Sequence, residues 1–310
     1  MRDQIEDFLA YLTQERRLSA NTITAYRNDL GQLLAYLESP RAAALAGGDG
    51  PAARRGQVLD FVLQLRERGY APATIARKIA ATRSLFHFLS QRGDLGDNPA
   101  AELGSPTVHK ALPRALSVRD VALLIGRAAR KGGPDGLRDR AMLHLLYATG
   151  MRVTELVSLN VQDVNLETNQ VRCVGRGGRE RTVPLEPDAR PAVVDYLEHG
   201  RPVLARAGSG ETALFLNQRG DRLTRQGFWL IMKALARECG LESQVTPHTL
   251  RHSFAAHRLR DGVSLERLRE LLGHANISTT QIYTQVRVSN TYQEEPRPAE
   301  RAGDLAPISQ

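Results

Sequence analysis

Apolar residues recur at three- and four-residue spacings through most of this chain and alternate in one short stretch. That single change of period restricts the fold to helices packed around a small sheet. Ile5, Phe8, Leu9 and Leu12 form the first helical face. Ser19 precedes a second run, Ile23, Tyr26, Leu30, Leu33, Leu34 and Leu37, and a serine there satisfies N–H groups that lack partners in a first turn. Residues 39–56, rich in Gly, Ala and Pro, read as a mobile connection. Two further helices are expected at 58–65 and 75–89, the second with Arg77, Lys78 and Arg83 on its polar side. Such a basic stripe suits a nucleic acid, and a generic helical bundle accounts for the segment equally well.

A Gly- and Pro-rich stretch, 93–117, separates this half from the next. Helices are expected at 118–130 and 137–149, with Gly150 suited to the left-handed end of the second. The alternation falls within 161–185, where Val171 and Cys173, then Val183 and Leu185, flank the turn Gly-Arg-Gly-Gly-Arg-Glu. This is a small antiparallel sheet with a basic hairpin tip. Residues 188–285 read as helices with short loops, and 289–310 is a polar tail. The expected fold is mainly α with a small antiparallel β-sheet. Its parts are a helical domain at 1–95, a linker at 96–115, a second domain at 116–288 and the tail at 289–310.

The net charge of +8 favours a polyanionic partner, with nucleic acid first. Of the 42 cations, 38 are arginine; the lysines are Lys78, Lys110, Lys131 and Lys233. Aromatic residues make up 5%, too few for a surface that grips single strands by stacking. No apolar run has the length of a membrane span, and the acidic N-terminus lacks the pattern of a secretory signal, so a cytoplasmic protein without membrane insertion is expected. Cys173 and Cys239 stand far apart and suggest neither a disulfide framework nor a zinc site.

Thr246-Pro247-His248-Thr249-Leu250-Arg251-His252 is the most informative stretch. Thr246 can cap a helix and Pro247 suits its first position, which places His248 in the first turn and Arg251 on the same side. A His and an Arg at a helix N-terminus make a phosphate site. His252, four residues after His248, suggests a metal pair only weakly, since no HExxH pattern or third ligand accompanies it. A structural role is expected for it. Arg152 opens a short helix with Glu155 placed to orient it, Leu271-Leu272-Gly273-His274 ends another, and Tyr283 follows.

In that order, Arg152, His248-x-x-Arg251, Leu-Gly-His274 and Tyr283 resemble the active-site signature of tyrosine site-specific recombinases, close to the Xer branch. Leu18-Ser19-Ala20-Asn21-Thr22, Leu145 to Arg152, Thr224-Arg225-Gln226-Gly227-Phe228-Trp229 and Ile277 to Tyr283 extend the resemblance along nearly the whole chain. It implies a SAM-like helical core-binding domain followed by a recombinase catalytic domain. It also implies a tyrosine that attacks a DNA phosphate, leaving a 3′-phosphotyrosyl link and a free 5′-hydroxyl. Because the link conserves bond energy, rejoining needs no ATP, metal or other cofactor. By resemblance Arg152 and Arg251 hold the phosphoryl oxygens, His248 handles protons around the tyrosine, and His274 donates to the phosphate. Arg179 and Arg225 join Arg77, Lys78 and Arg83 as expected DNA contacts. The implied partners are a duplex with a terminus recombination site, a homo- or hetero-tetramer with a second Xer-type recombinase, and a division-site DNA translocase. The implied task is chromosome dimer resolution; an integrase of a mobile element would share the chemistry.

Two departures stand out. The family carries a lysine in the hairpin that protonates the leaving oxygen, and here Gly175-Arg176-Gly177-Gly178-Arg179-Glu180-Arg181 has Arg176 in its place. Arginine is a poor proton donor and a good charge stabiliser. Retained activity is the favoured expectation, against a cleavage-impaired DNA-binding accessory subunit. A metal-dependent nuclease is the weakest alternative and would lose activity in EDTA. The second departure is the tail, which lacks the clear amphipathic helix that relatives dock on a neighbouring subunit.

Overall fold

In the computed structural model, residues 1–45, 51–107, 114–175, 178–206, 210–274 and 276–288 are described. The chain divides into two compact units, Met1–Lys110 and Ala111–Gln310. The expected tail lies outside the described residues.

The first unit is built from α1 (Arg2–Gln14), α2 (Ala20–Leu37), α3 (Pro40–Leu45), α4 (Pro51–Glu67) and α5 (Pro72–Arg92). The α1 face buries Ile5, Phe8, Leu9 and Leu12, and Ser19 caps α2 by accepting from the Thr22 N–H at 3.3 Å. These faces meet Leu30, Leu33, Phe61, Leu65, Ile79 and Phe86 in one core. The stretch 39–56 departs from expectation, because helix flanks both sides of 46–50. Arg41 on α3 forks between Asp60 and Glu67 on α4, and Gln57 donates to the Ala42 carbonyl, so the alanine-rich segment is anchored as helix.

The basic side of α5 also differs from expectation. Lys78 is 2% exposed, and its ammonium lies 2.8 Å from the carboxylate of Asp29, itself 3% exposed on α2. Arg77 donates to the same carboxylate from a half-exposed position, and Arg83 donates to the Leu103 carbonyl. Lys78 is therefore corrected from a DNA contact to an internal ion-pair partner. The physical reason is Asp29: a buried carboxylate needs hydrogen-bonded countercharge.

The second unit begins with β1 (Arg114–Ala115), α6 (Val118–Arg130), α7 (Gly133–Thr149) and α8 (Val153–Ser158). α7 starts four residues earlier than its apolar pattern suggests, with Pro134 in its first turn. Strands β2 (Val164–Asn165), β3 (Gln170–Val174) and β4 (Glu180–Pro184) form an antiparallel sheet, with Val171 opposite Val183 and Cys173 opposite Arg181. Val171, Cys173 and Val183 face the core, as the alternation requires. Helices α9 (Arg190–Asp195) and α10 (Arg201–Leu204) follow. Residues 211–224, expected as helix with short loops, instead run irregularly, with isolated bridges Asn160–Ala213 and Leu216–Arg222.

Then come α11 (Arg225–Glu238), α12 (Pro247–Arg260), α13 (Leu265–Leu272), α14 (Ser278–Gln281) and a single turn, Ile282–Gln285. The last strand, β5 (Arg287–Val288), pairs in parallel with β1. The core around Leu145, Leu146, Leu156, Phe228 and Leu250 holds α7, α8, α11 and α12 together.

Candidate active site

Gly150 ends α7 at φ 59°, and a Cβ there would lie 2.2 Å from Cδ1 of Phe254, so the position needs glycine for both backbone and space. Arg152 follows as the residue before α8. Its N–H donates to Glu155 Oε2 at 2.7 Å and its guanidinium to Oε1 at 3.1 Å. Glu155 is almost fully buried and also takes both terminal nitrogens of Arg181, each at 2.8 Å. Burial opposes its ionisation, yet the Arg181 bonds and the Arg152 N–H hold the carboxyl below its ordinary range.

Arg181 ties three motifs together. It sits on β4, grips Glu155 of α8, and donates through Nε to the Leu271 carbonyl at the end of α13 at 2.9 Å. Gly273 ends α13 at φ 63°, and a Cβ there would meet Arg181 Nη1 at 3.0 Å. In the sequence Arg181 is one more cation of a basic hairpin, and no local spacing signals this role.

Thr246 caps α12 by accepting from the Thr249 N–H at 3.0 Å, and Pro247 takes the first turn with His248 exposed beside it. Arg251, 5% exposed, donates to the carbonyls of Gly150 and Leu272, the latter at 2.7 Å, and to His274 Nε2 at 3.0 Å. Among the described residues no carboxylate forms a salt bridge with it. Burial, then the Arg152 charge, pushes its guanidinium down to about 10. Since Arg251 can only donate, Nε2 of His274 accepts, and its Nδ1–H donates to Thr280 Oγ1 at 3.0 Å. Burial and the neighbouring arginines push His274 down to about 4.

Tyr283 is 6% exposed and packs near-parallel to the His274 ring at 6.3 Å. Burial raises its hydroxyl, with the Arg251 charge acting in the opposite direction. The turn before it is held by Asn276, whose side-chain oxygen accepts from the N–H and hydroxyl of Ser278. The Tyr283 hydroxyl lies 3.1 Å from His252 Nδ1. His252, expected as a satisfied structural histidine, thus has the tyrosine as its partner, whereas His248 forms no hydrogen bond with Tyr283. Helical spacing already put both histidines on one face. Burial, His248 and Arg251 push His252 down to about 4.

Arg152, His248, Arg251, His274 and Tyr283 thus line one cleft, joined by His252, Arg225 and Trp229. Arg179 is exposed in the turn just before β4, and Arg176 lies outside the described residues. Arg77, Lys78 and Arg83 belong to the first unit.

Residues 115–290 match the phage integrase family and residues 5–93 its N-terminal SAM-like domain. The chain is 49% identical to tyrosine recombinase XerC of Roseiflexus castenholzii, over 98% of this chain and 96% of that protein. It is 43% identical to tyrosine recombinase XerD of Listeria innocua, over 95% and 98%. Its fold is similar to that of the XerH site-specific recombinase bound to a palindromic difH substrate in a post-cleavage complex, with a TM-score of 0.70 and 20% identity over 92% of this chain and 86% of that one.

Proposed function

The chain belongs to the phage integrase family, as a tyrosine recombinase of the Xer type, and on that premise we propose how its cleft performs site-specific strand exchange on duplex DNA. Tyr283 is the nucleophile. Its oxygen bonds to the scissile phosphorus, the 5′-oxygen leaves, and the reverse attack by another strand's 5′-hydroxyl rejoins the DNA.

The observation that carries this reading is Arg251. A cation 5% exposed, bonded to two carbonyls and an imidazole and, among the described residues, in no salt bridge with a carboxylate, is arranged to meet an anion brought by a substrate. Arg152, steadied by Glu155, supplies a second forked donor on the same cleft. Together they stabilise charge that builds on the phosphoryl oxygens. His274 presents an acceptor nitrogen to Arg251 in this state. To donate to a phosphate it takes up a proton at Nε2, which the phosphate's negative charge favours.

The task proposed is chromosome dimer resolution at a terminus site in the cytoplasm, by a tetramer made with itself or a second recombinase and served by a division-site DNA translocase. Support comes from the relatives' names and their full-length match. Among the described residues no helix is long and apolar enough to cross a membrane. Arg176 is proposed to preserve cleavage as a charge stabiliser.

The test is a nicked duplex carrying the terminus site, assayed in EDTA for a covalent adduct on a denaturing gel. An adduct from wild type that is absent in Tyr283→Phe supports the reading. No adduct from wild type, but one from Arg176→Lys, identifies a cleavage-impaired subunit. Site-specific binding without an adduct from either overturns the enzyme in favour of an accessory protein.

A further inference from the structure

Resting on the recombinase reading, we propose that His252 rather than His248 accepts the proton of Tyr283 during cleavage and returns it during rejoining. Tyr283 is 6% exposed, and its hydroxyl lies 3.1 Å from His252 Nδ1 while Arg251 also donates to it. The neighbouring groups are poor alternatives. Arg251 can only donate, and both ring nitrogens of His274 are engaged, by Arg251 and by Thr280. His248 is exposed at the first turn of α12, on the cleft side where a phosphate would enter.

The charged and titratable groups facing His252 are His248 and Arg251 on its own helix, Tyr283 on the turn after α14, and His274 after α13. These surroundings keep the ring neutral at pH 7, so a lone pair is available to the hydroxyl. A bound phosphodiester adds the negative charge that offsets Arg251 and makes the ring more basic as attack begins.

In the step, the Tyr283 oxygen–phosphorus bond forms as the tyrosine O–H bond breaks, and that proton moves to His252 Nδ1. The phosphorus–O5′ bond breaks, its electron pair stays on the 5′-oxygen, and that oxygen takes a proton from water in the open cleft. On rejoining, a 5′-hydroxyl attacks phosphorus and gives its proton to water, while the imidazolium of His252 protonates the departing tyrosine oxygen.

The experiment measures adduct formation on the nicked duplex across pH, with an ordinary scissile phosphate and with a 5′-bridging sulfur that leaves without needing a proton. His252→Ala is expected to slow adduct formation about 10²-fold at pH 7 on both substrates. The deficit should narrow as pH rises toward about 10, where tyrosine ionises unaided. Added imidazole should restore part of the rate, and His248→Ala should keep the wild-type pH dependence. A His252→Ala rate close to wild type overturns the proposal. So does a deficit that the sulfur leaving group erases, or one that is constant across pH and unrelieved by imidazole. If His252→Ala fails to bind the site, His252→Asn takes its place; it keeps a polar atom near Nδ1 and should bind normally yet cleave as slowly. No adduct from wild type would instead overturn the recombinase reading itself.

Discussion

The two units each bury a cation, with opposite consequences. Lys78 in the first unit meets the Asp29 carboxylate, so its charge is neutralised inside the protein. Arg251 in the second meets carbonyls and an imidazole, so its charge is held in place without a salt-bridged carboxylate among the described residues. The identity of a basic residue says little about its task. What distinguishes these two buried cations is the charge of the group each meets: Lys78 is paired with a carboxylate inside its own unit, whereas Arg251 has no salt-bridged carboxylate among the described residues and lines the cleft.

Several variants can break that contrast. Tyr283→Phe should abolish the covalent adduct while leaving site binding intact on a gel shift, which isolates the chemistry from the electrostatics. Lys78→Met should cost about 3–5 kcal/mol in urea unfolding, because Asp29 is left buried with half its partners. Adding Asp29→Leu should recover most of that loss; failure to recover would mean the pair does more than balance charge. Arg251→Lys keeps the charge and loses the fork, and should slow adduct formation by about 10²–10³ with a small change in melting temperature.

A pH series sharpens the comparison further. His252 and His274 are held neutral down to about 4, against an ordinary value of 6.5. Between those values the unfolded chain binds protons that the folded one refuses. Stability is therefore full above pH about 6.5 and falls as the pH drops toward 4. Thermal melts should show this loss in wild type and less of it in His252→Gln. The smallest effect expected is in salt dependence: Arg225→Ala, on the cleft rim, should lower the slope of DNA affinity against salt by about one contact, and Lys78→Met should leave it unchanged.

The sequence made the framework legible because its signals are local. The Ile5, Phe8, Leu9 and Leu12 face is buried as its spacing requires. Gly150, the Thr246-Pro247 start and Gly273 fix where helices begin and end, and these positions carry Arg152, His248 and His274 into the cleft. The illegible parts are partnerships over long sequence separations. Lys78 and Asp29 are 49 residues apart, Arg181 and Glu155 26, and His252 and Tyr283 31. No periodicity records such pairs, so a polar face is expected for Lys78, and neither the Glu155 partner of Arg181 nor the Tyr283 partner of His252 can be read from the sequence. The 39–56 stretch failed for another reason. Its composition suggests a loop, while the Arg41 fork to α4 holds part of it as helix.

The pairing of β1 with β5 also sets how the catalytic unit meets a pull along its chain. The strands run parallel, with Arg114 opposite Arg287 and Ala115 opposite Val288. A force drawing residue 114 one way and residue 288 the other slides these strands past each other and loads their hydrogen bonds together. A hairpin pulled from its open end would instead be peeled apart bond by bond. Tyr283 lies just ahead of this joint in the chain, so tension arriving from beyond residue 288 is borne in shear before it reaches that side chain.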